Sequence, residues 1–377
     1  MKILVISHEY PPVGGGGANA CFYLTKGFAE HGHEVTIVTT NYNDLPEREN
    51  ISGVQVIRVN SKRKYKEHCS FMEMLSFIVK AWSVVDQLEK KEKFDVCQIF
   101  FGIPSGPLGY FLKKKYGVPY IIRFGGGDIP GFQERFSKVY QLIGPAIKLI
   151  WKNADSLVAN SVGLRQLAYN FYDKKEVKII TNGVDTRYFT PGDKNGETVK
   201  ILFVSRLIER KGLQYIIPKL PEIQMASDKK IRLMVVGDGP YKEELIRITN
   251  EYKAQDIISF EGYKDKKEIL SYYQEADIFI LPSKKEGMPN VVLEAMACGL
   301  PIVMTPCEGS RELITDNGYI TRVTDFGQYI IRLCNDNELR KKMGQNSRIQ
   351  AEEMFAWSTI VDAYIGEINR IKIKSEE

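Results

Sequence analysis

Short runs rich in Val, Ile, Leu and Phe alternate along the chain with longer stretches whose apolar residues recur at helical spacing. In the first half the runs are Lys2–Ser7, Val35–Thr40, Gln55–Val59, Asp95–Phe100, Pro119–Phe124, Ser156–Asn160 and Val177–Thr181. In the second they are Lys200–Ser205, Ile231–Gly237, Ile257–Glu261, Asp277–Leu281 and Pro301–Thr305. Each has the length of one sheet strand and is bounded by Gly, Pro, Asn or a charge. Tyr241–Lys253 and Lys266–Glu275 are helical periods between them. Near-continuous apolar strands separated by helices predict parallel sheets covered on both faces, an α/β fold with two doubly wound, Rossmann-like domains. The series restarts after Asn182-Gly183-Val184-Asp185, and a polar linker, Thr190–Gly196, precedes the next strand. Domains over 1–183 and 184–356 follow. Their ligands are expected in a cleft between them, beyond the carboxyl ends of the strands.

The last element, Trp357–Ile373, sets Trp357, Ile360, Val361, Tyr364, Ile365, Ile368 and Ile371 on one helical face. Packing on the second domain explains that stripe; a crossing back of residues 357–377 to the first domain is the other reading.

Composition removes several classes. With 377 residues, 44% hydrophobic and 26% charged, the chain can bury a full core, so disorder is excluded and two domains are favoured. No run approaches the ~18 apolar residues of a membrane span; the longest, Leu142–Trp151, carries Lys148. The apolar start, Met1–Ile6, is too short for a signal peptide and runs into His8 and Glu9, so a cytoplasmic protein is expected. Six cysteines without paired spacing and four histidines argue against a zinc site. Of the histidines, His31, His33 and His68 lie in unremarkable polar surroundings, while His8 stands at a strand end. Residues 1–183 hold 24 Lys and Arg against 17 Asp and Glu, a net +7, whereas 184–377 are at −2. The first half is therefore expected to meet an anionic surface or ligand. No nucleic-acid-binding motif accompanies the charge, so nucleic acid is not an expected partner.

Candidate chemistry sits at the strand ends. Lys2–Ser7 runs into Pro11-Pro12-Val13-Gly14-Gly15-Gly16-Gly17 and a helix from about Ala18. Four glycines before a helix suit a phosphate, or simply a tight strand-to-helix turn. Past the strand Lys200–Ser205 stand Arg206 and Lys211, two cations able to neutralise a departing diphosphate, or a solvated basic loop. Past Asp277–Leu281 comes Pro282-Ser283-Lys284-Lys285-Glu286-Gly287-Met288-Pro289-Asn290, then a helix Val291–Cys298 with Pro289 apt for its first turn. Glu286 in the turn and Glu294 on the helix can face one ligand and accept hydrogen bonds from sugar hydroxyls. Gly237-Asp238-Gly239-Pro240 and Glu308-Gly309-Ser310 make further glycine turns.

Taken in order, these segments, with Tyr10-Pro11-Pro12 and Gly32-His33-Glu34-Val35-Thr36, resemble the retaining nucleotide-sugar glycosyltransferases of the GT-B fold, family 4. The resemblance covers nearly the whole chain and implies a hexosyltransferase using a UDP- or GDP-linked donor. It implies that Gly16 and Gly17 approach the donor diphosphate and that Arg206 and Lys211 hold it as it departs. Glu286, with backbone groups of Gly287, Met288 and Asn290, would position the transferred hexose or N-acetylhexosamine. Glu294 would bind the ribose, Gly239 would border the donor, and Tyr263 and Lys264 would border the base. No metal or other cofactor is implied, and the chain has no Asp-x-Asp pair. Many relatives carry His-Gly-x-Asp after the fifth strand; here Phe124-Gly125-Gly126-Gly127-Asp128 puts Gly125 where that histidine stands. Asp128 is then either an acceptor or sugar contact or a loop acid, and His8 is the other acceptor-side candidate.

The implied acceptor is a sugar or lipid-linked saccharide of bacterial-type surface polysaccharide or lipopolysaccharide synthesis. Lys62-Arg63-Lys64-Tyr65-Lys66 precedes Phe71, Met74, Leu75, Phe77, Ile78, Val79 and Trp82. That pattern fits either an anionic inner membrane surface or the core face of an ordinary helix. A nucleotide-sugar epimerase on the same scaffold and a non-catalytic sugar-nucleotide-binding subunit are the alternative readings.

Overall fold

A computed structural model of the chain describes residues 1–66, 69–132, 137–194 and 196–376, with side chains through Ile373. His68 and Asn195 of the expected linker fall outside these residues. Two compact units result, Met1–Asn182 with Trp357–Glu377, and Gly183–Ala356.

The first unit runs β1 (Lys2–Ile6), α1 (Gly16–Glu30), β2 (Glu34–Thr40), β3 (Arg48–Ile51), β4 (Val54–Val59), α2 (Phe71–Glu92) and β5 (Val96–Phe100). It continues with α3 (Gly106–Tyr116), β6 (Tyr120–Arg123), α4 (Ser137–Asn153), β7 (Ser156–Ala159), α5 (Val162–Phe171) and β8 (Val177–Ile179). The sheet order is β3-β4-β2-β1-β5-β6-β7-β8. Alternate side chains of each strand enter different cores: Ile3 and Val5 of β1 pack with α1, while Leu4 and Ile6 pack with α2 and α3. This two-sided burial is why the strands read as continuous apolar runs.

The second unit runs β9 (Thr198–Val204), α6 (Leu220–Met225), β10 (Lys230–Val236), α7 (Lys242–Glu251), β11 (Ile258–Gly262), α8 (Lys266–Glu275) and β12 (Ile278–Leu281). It closes with α9 (Asn290–Ala297), β13 (Ile302–Met304), α10 (Ser310–Leu313), β14 (Gly318–Ile320), α11 (Phe326–Asn335) and α12 (Asn337–Met354). Its sheet, β11-β10-β9-β12-β13-β14, is parallel throughout.

The expectation of parallel strands alone is corrected at β3, which pairs antiparallel with β4 through Ser52 and Gly53, both at positive φ. Its sequence, Arg-Glu-Asn-Ile, is polar because it lies at the sheet edge, and Glu49 pairs there with the buried Arg58. Sequence also missed the three-residue β14. Leu142–Trp151 lies within α4, burying Ile147, Ile150 and Trp151 while Leu142 stays exposed. Among the described residues no helix is long and apolar enough to cross a membrane.

The final helix, α13 (Trp357–Glu376), belongs to the first unit. Packing on the second domain is therefore corrected. Trp357 stacks on Tyr23 of α1 at 5.2 Å, and Val361 fills the space left by Gly27. At its far end buried Glu367 accepts from Lys178 Nζ at 2.5 Å and from Arg370. Burial alone would raise the Glu367 pKa, but hydrogen bonds from Arg370, Lys178 and Ser156 outweigh it and bring it to about 2.

A folded pKa below the unfolded one stabilises the protein above about pH 4.5, and that stability is lost as pH falls toward about 2. Glu367→Gln should cost about 2–3 kcal/mol at neutral pH, and the gap to wild type should narrow steadily below about pH 4.5. Urea unfolding of both proteins across pH checks this; a gap that does not change with pH would show that the ion cluster does not anchor α13.

Candidate active site

Parallel strands deliver their following loops to one sheet edge, and the loops after β9, β10, β12 and β13 are tied together there. Gly212, at φ 78, lies against the Pro282 carbonyl: a Cβ would stand 1.9 Å from that oxygen, so only glycine allows the approach. Arg210 donates to the Lys285 carbonyl at 2.8 Å, and the Lys284 amide donates to the Arg210 carbonyl at 2.9 Å. The Leu207 amide donates to the Asp238 carbonyl at 2.9 Å, bringing the Gly239 turn beside Arg206. The Glu308 amide donates to the Glu286 carbonyl at 3.1 Å.

Within this frame Lys211 Nζ donates to Glu286 Oε1 at 2.5 Å, and the Ser283 hydroxyl donates to the same oxygen at 2.7 Å. The Lys211 and Glu286 side chains are only 13% and 12% exposed, so each charge depends on the other. Arg206 is exposed. Met288 turns its side chain into the core, leaving its backbone to the loop. Pro289 precedes the first turn of α9 instead of lying in it, and Asn290 opens the helix. On α9, Glu294 accepts from the hydroxyl of fully buried Tyr273 at 2.7 Å. Burial pushes the Glu294 carboxyl up to about 7, against the lowering effect of Tyr273 and then Lys266. Exposed Tyr263, with Lys264 beside it, follows β11 at the sheet edge; Lys264 Nζ lies 5.6 Å above the Tyr272 ring.

In the first unit Gly16 and Gly17 form the first turn of α1, two residues earlier than the sequence suggested. The Gly14 amide donates to the Lys66 carbonyl at 2.9 Å, so the glycine loop is tied to the basic stretch. Arg63 of that stretch turns inward to Glu9 Oε1 at 3.3 Å. His8 is 6% exposed, and desolvation brings its pKa down to about 4, so it is neutral at physiological pH. Asp128, equally buried, accepts at Oδ2 from the Gly102 amide at 2.6 Å and at Oδ1 from Gly125 and Gly126 at 2.8 and 2.9 Å. It thereby clamps the loops that follow β5 and β6.

Sequence reasoning missed Ser283, Tyr273 and Arg210. Ser283 could have been found as a hydroxyl three residues before Glu286; Tyr273 reads only as a core position of α8.

Residues 185–350 match the family model for glycosyl transferases group 1, and residues 14–188 match that for glycosyltransferase family 4. The chain is 32% identical to an uncharacterized glycosyltransferase of Methanocaldococcus jannaschii, MJ1069, over 97% of each chain. It belongs to the family 4 glycosyltransferases. The fold of this glycosyltransferase agrees: sucrose-phosphate synthase of Thermosynechococcus elongatus superposes with a TM-score of 0.82 at 21% identity, covering 100% of both chains. Anabaena HepE, solved with UDP-glucose, superposes with a TM-score of 0.75 at 18% identity over 98% of this chain and 100% of that one. The GT-B assignment and the α/β reading of the sequence therefore hold, and the glycosyltransferase is an enzyme of the transferase class.

The Lys211–Glu286 pair separates the two cations of the glycosyltransferase. Lys211→Ala leaves a largely covered carboxylate without its counter-charge and should cost about 2–3 kcal/mol of stability. Exposed Arg206→Ala should stay within about 0.5 kcal/mol of wild type. Removing both partners, as Lys211→Met with Glu286→Gln, should recover most of the loss. Thermal unfolding of the four proteins decides; equal losses for Lys211→Ala and Arg206→Ala would mean the pair carries no special weight.

Proposed function

We propose that this glycosyltransferase moves a hexose or N-acetylhexosamine from a UDP- or GDP-linked sugar to a sugar or lipid-linked sugar acceptor, with retention of anomeric configuration. The setting is bacterial-type surface polysaccharide or lipopolysaccharide synthesis, in the cytoplasm and peripherally on the inner face of the cell membrane. One observation carries the reading: Lys211 and Ser283 both engage Oε1 of Glu286 at the carboxyl edge of a parallel sheet, and exposed Arg206 lies in the same loop after β9 as Lys211. An ammonium has three donors, so Lys211 can keep Glu286 and still reach a phosphate oxygen. Oε2 of Glu286 is left to accept from a sugar hydroxyl. Arg206 and Lys211 then stabilise the diphosphate as its bond to the anomeric carbon breaks. The acceptor oxygen bonds to that carbon on the same face, and its proton passes to the departing phosphate oxygen. The UDP-glucose bound by HepE supports a nucleotide sugar of this kind.

Glu294 is proposed to hold the ribose as a carboxylate, accepting from both hydroxyls. Because its pKa is pushed up to about 7, affinity for the donor should rise with pH. Between about pH 6 and pH 8 the ionised fraction climbs from roughly a tenth to roughly nine tenths, so the gain should approach tenfold. Calorimetry with UDP-glucose and GDP-mannose, whose diphosphates do not titrate in this range, checks it. Glu294→Gln should bind more weakly and without pH dependence. Because Arg206 and Lys211 supply the positive charge, turnover should survive EDTA. Loss of turnover restored by magnesium or manganese would overturn the metal-free reading, and donor turnover to an epimer without acceptor would overturn transfer.

The membrane part rests on α2. Phe77, Ala81, Val85 and Leu88 face the core, while Met72, Leu75 and Val79 stand exposed at 70%, 40% and 71%. The Lys62 amide donates to Ser76 Oγ at 3.0 Å and the Lys64 amide to Glu73 Oε1 at 2.5 Å. Exposed Lys62, Lys64 and Lys66 are thus fastened alongside that apolar face. Each such charge adds about 1 kcal/mol at an anionic leaflet. Sedimentation with phosphatidylglycerol vesicles, but not phosphatidylcholine vesicles, is expected, and should weaken with salt and on changing the three lysines to Glu. No sedimentation with anionic vesicles at low salt would leave a soluble acceptor as the better reading.

A further inference from the structure

The loops of the proposed donor site leave the carboxyl edge of the second sheet, and the opposite, amino edge carries a pocket of its own. It holds about 640 Å³, within the range of ~300–1,000 Å³ of small-molecule sites. Its lining, from Pro191 to Ile349, belongs wholly to the second unit. Thr198 and Val199 open β9, Asp277 precedes β12, and Gly299 lies shortly before β13. Against them α12 turns one face, on which Arg340, Lys341, Gly344, Arg348 and Ile349 recur at helical spacing. Lys194 of the linker and Lys229, just before β10, complete the surround. The pocket is open to solvent, since Lys194, Lys229, Lys341 and Ile349 are all exposed.

Its charge is one-sided. Five of the lining side chains are cationic, Lys194, Lys229, Arg340, Lys341 and Arg348, and the one acid among them is Asp277. Arg348 is compensated by Glu352 at 2.6 Å. Arg340 is not. It is 7% exposed and donates to the Leu333 carbonyl, to the Cys334 carbonyl at 2.8 Å and to Asn337 Oδ1 at 3.0 Å. These oxygens fix the guanidinium at the end of α11 without bringing it a formal counter-charge, and a covered cation in that state is costly. Lys341 meets only Glu338, at 3.1 Å on the exposed helix surface, where such a pair is worth little. Lys194 Nζ donates to the Gly299 carbonyl at 3.1 Å, which leaves two of its three donors. Asp277 already accepts from the Lys200 amide at 2.8 Å. The lining also has an apolar part: Val199 is buried, and Ile349 offers a side chain that is 50% exposed.

Cations brought together from the linker, from the start of β10 and from α12 call for a multiply charged anion. A phosphate monoester carries about two negative charges at neutral pH and three free oxygens, and it accepts charge-assisted hydrogen bonds from Lys and Arg. We propose that this pocket is a second ligand site of the glycosyltransferase, taking a small phosphate monoester that bears an apolar or aromatic group. Arg340, Lys341, Lys229 and Lys194 hold the phosphate, and Ile349 with Val199 meets the carbon part. Because the pocket lies at the other ends of β9 and β12 from Lys211 and Glu286, its occupant is neither the donor nor its departing diphosphate. The inference does not depend on the transfer reading.

The probes are phenyl phosphate and inorganic phosphate, titrated calorimetrically into the full chain at low salt. Phenyl phosphate should bind the more tightly, and its affinity should fall as salt is raised. Lys229→Glu and Lys341→Glu should each weaken it about tenfold. Lys342→Glu makes the same charge change one residue on, outside the lining, and should weaken it less than twofold. Ile349→Ser should weaken phenyl phosphate about threefold and leave inorganic phosphate unchanged. Arg206→Ala, at the opposite edge, should leave both unchanged. Arg340 is kept in every protein because it also ties down the end of α11, whereas the substituted side chains are exposed and their melting temperatures should match wild type. No binding of phenyl phosphate at low salt overturns the proposal. So does equal weakening by Lys341→Glu and Lys342→Glu, which would mean diffuse charge without a site, and so does binding that is lost in Arg206→Ala but kept in Lys229→Glu and Lys341→Glu.

Discussion

In the second sheet every strand runs the same way, and in the first every strand but β3 does. From this pairing the rest follows. Parallel neighbours cannot be joined by tight hairpins, so, apart from the passage from β2 to β4 through the edge strand β3, the strands of each sheet are joined by helices crossing its faces, and the loops leaving the parallel strands emerge at the same edge. Residues far apart in sequence, such as Lys211 and Glu286, meet because β9 and β12 are neighbours whose carboxyl ends lie side by side. The helices that cover the faces make the strands apolar on both sides, and the strand edges are left to carry the chemistry.

At that edge the second unit faces an electrostatic problem. A cation placed for the diphosphate of the proposed donor is costly to cover when no ligand is present. The two cations meet it differently. Arg206 stays in solvent, where its charge costs little. Lys211 is mostly covered, and Glu286 compensates it at 2.5 Å. Glu286 is in turn fixed by Ser283, and its loop by Arg210 and the glycine contact at Pro282. The carboxylate thus has a structural duty in the unliganded protein as well as a proposed one toward the sugar, and the sequence reading had assigned it only the second.

What was legible in the sequence follows from where burial is symmetric. Strands buried on both faces, such as Lys2–Ile6 and Thr198–Val204, announced themselves by composition. β3 did not, since an edge strand with polar residues has no apolar signature and is recognised only by its pairing with β4. Arg206, Lys211 and Glu286 could be picked out because they follow strand ends in glycine-bearing turns, and Glu294 because it lies on the helix that such a turn opens. The partners that position them could not: Tyr273 carries Glu294 from a helix face that reads as ordinary core. Lys62–Lys66 looked like a uniform basic patch, but Arg63 is an inward loop tie with a side chain 1% exposed, so charge alone did not give direction.

Asp128 and Phe101 show the same limit from opposite sides. The acid stood out in sequence by its place after a strand, and its two oxygens prove to be engaged by three backbone amides. An acid so engaged organises a loop: it fixes the amides of Gly102, Gly125 and Gly126, and with them the backbone on either side of Phe101. The phenylalanine gave no sequence signal, because one more apolar residue after a buried strand reads as its continuation. Only its positive φ and the two glycines against its ring set it apart from Phe100. The glycine at position 125 then has a physical reason of its own. With the ring of Phe101 where it is, any side chain there would collide with it, and the ring occupies the space that a histidine would need.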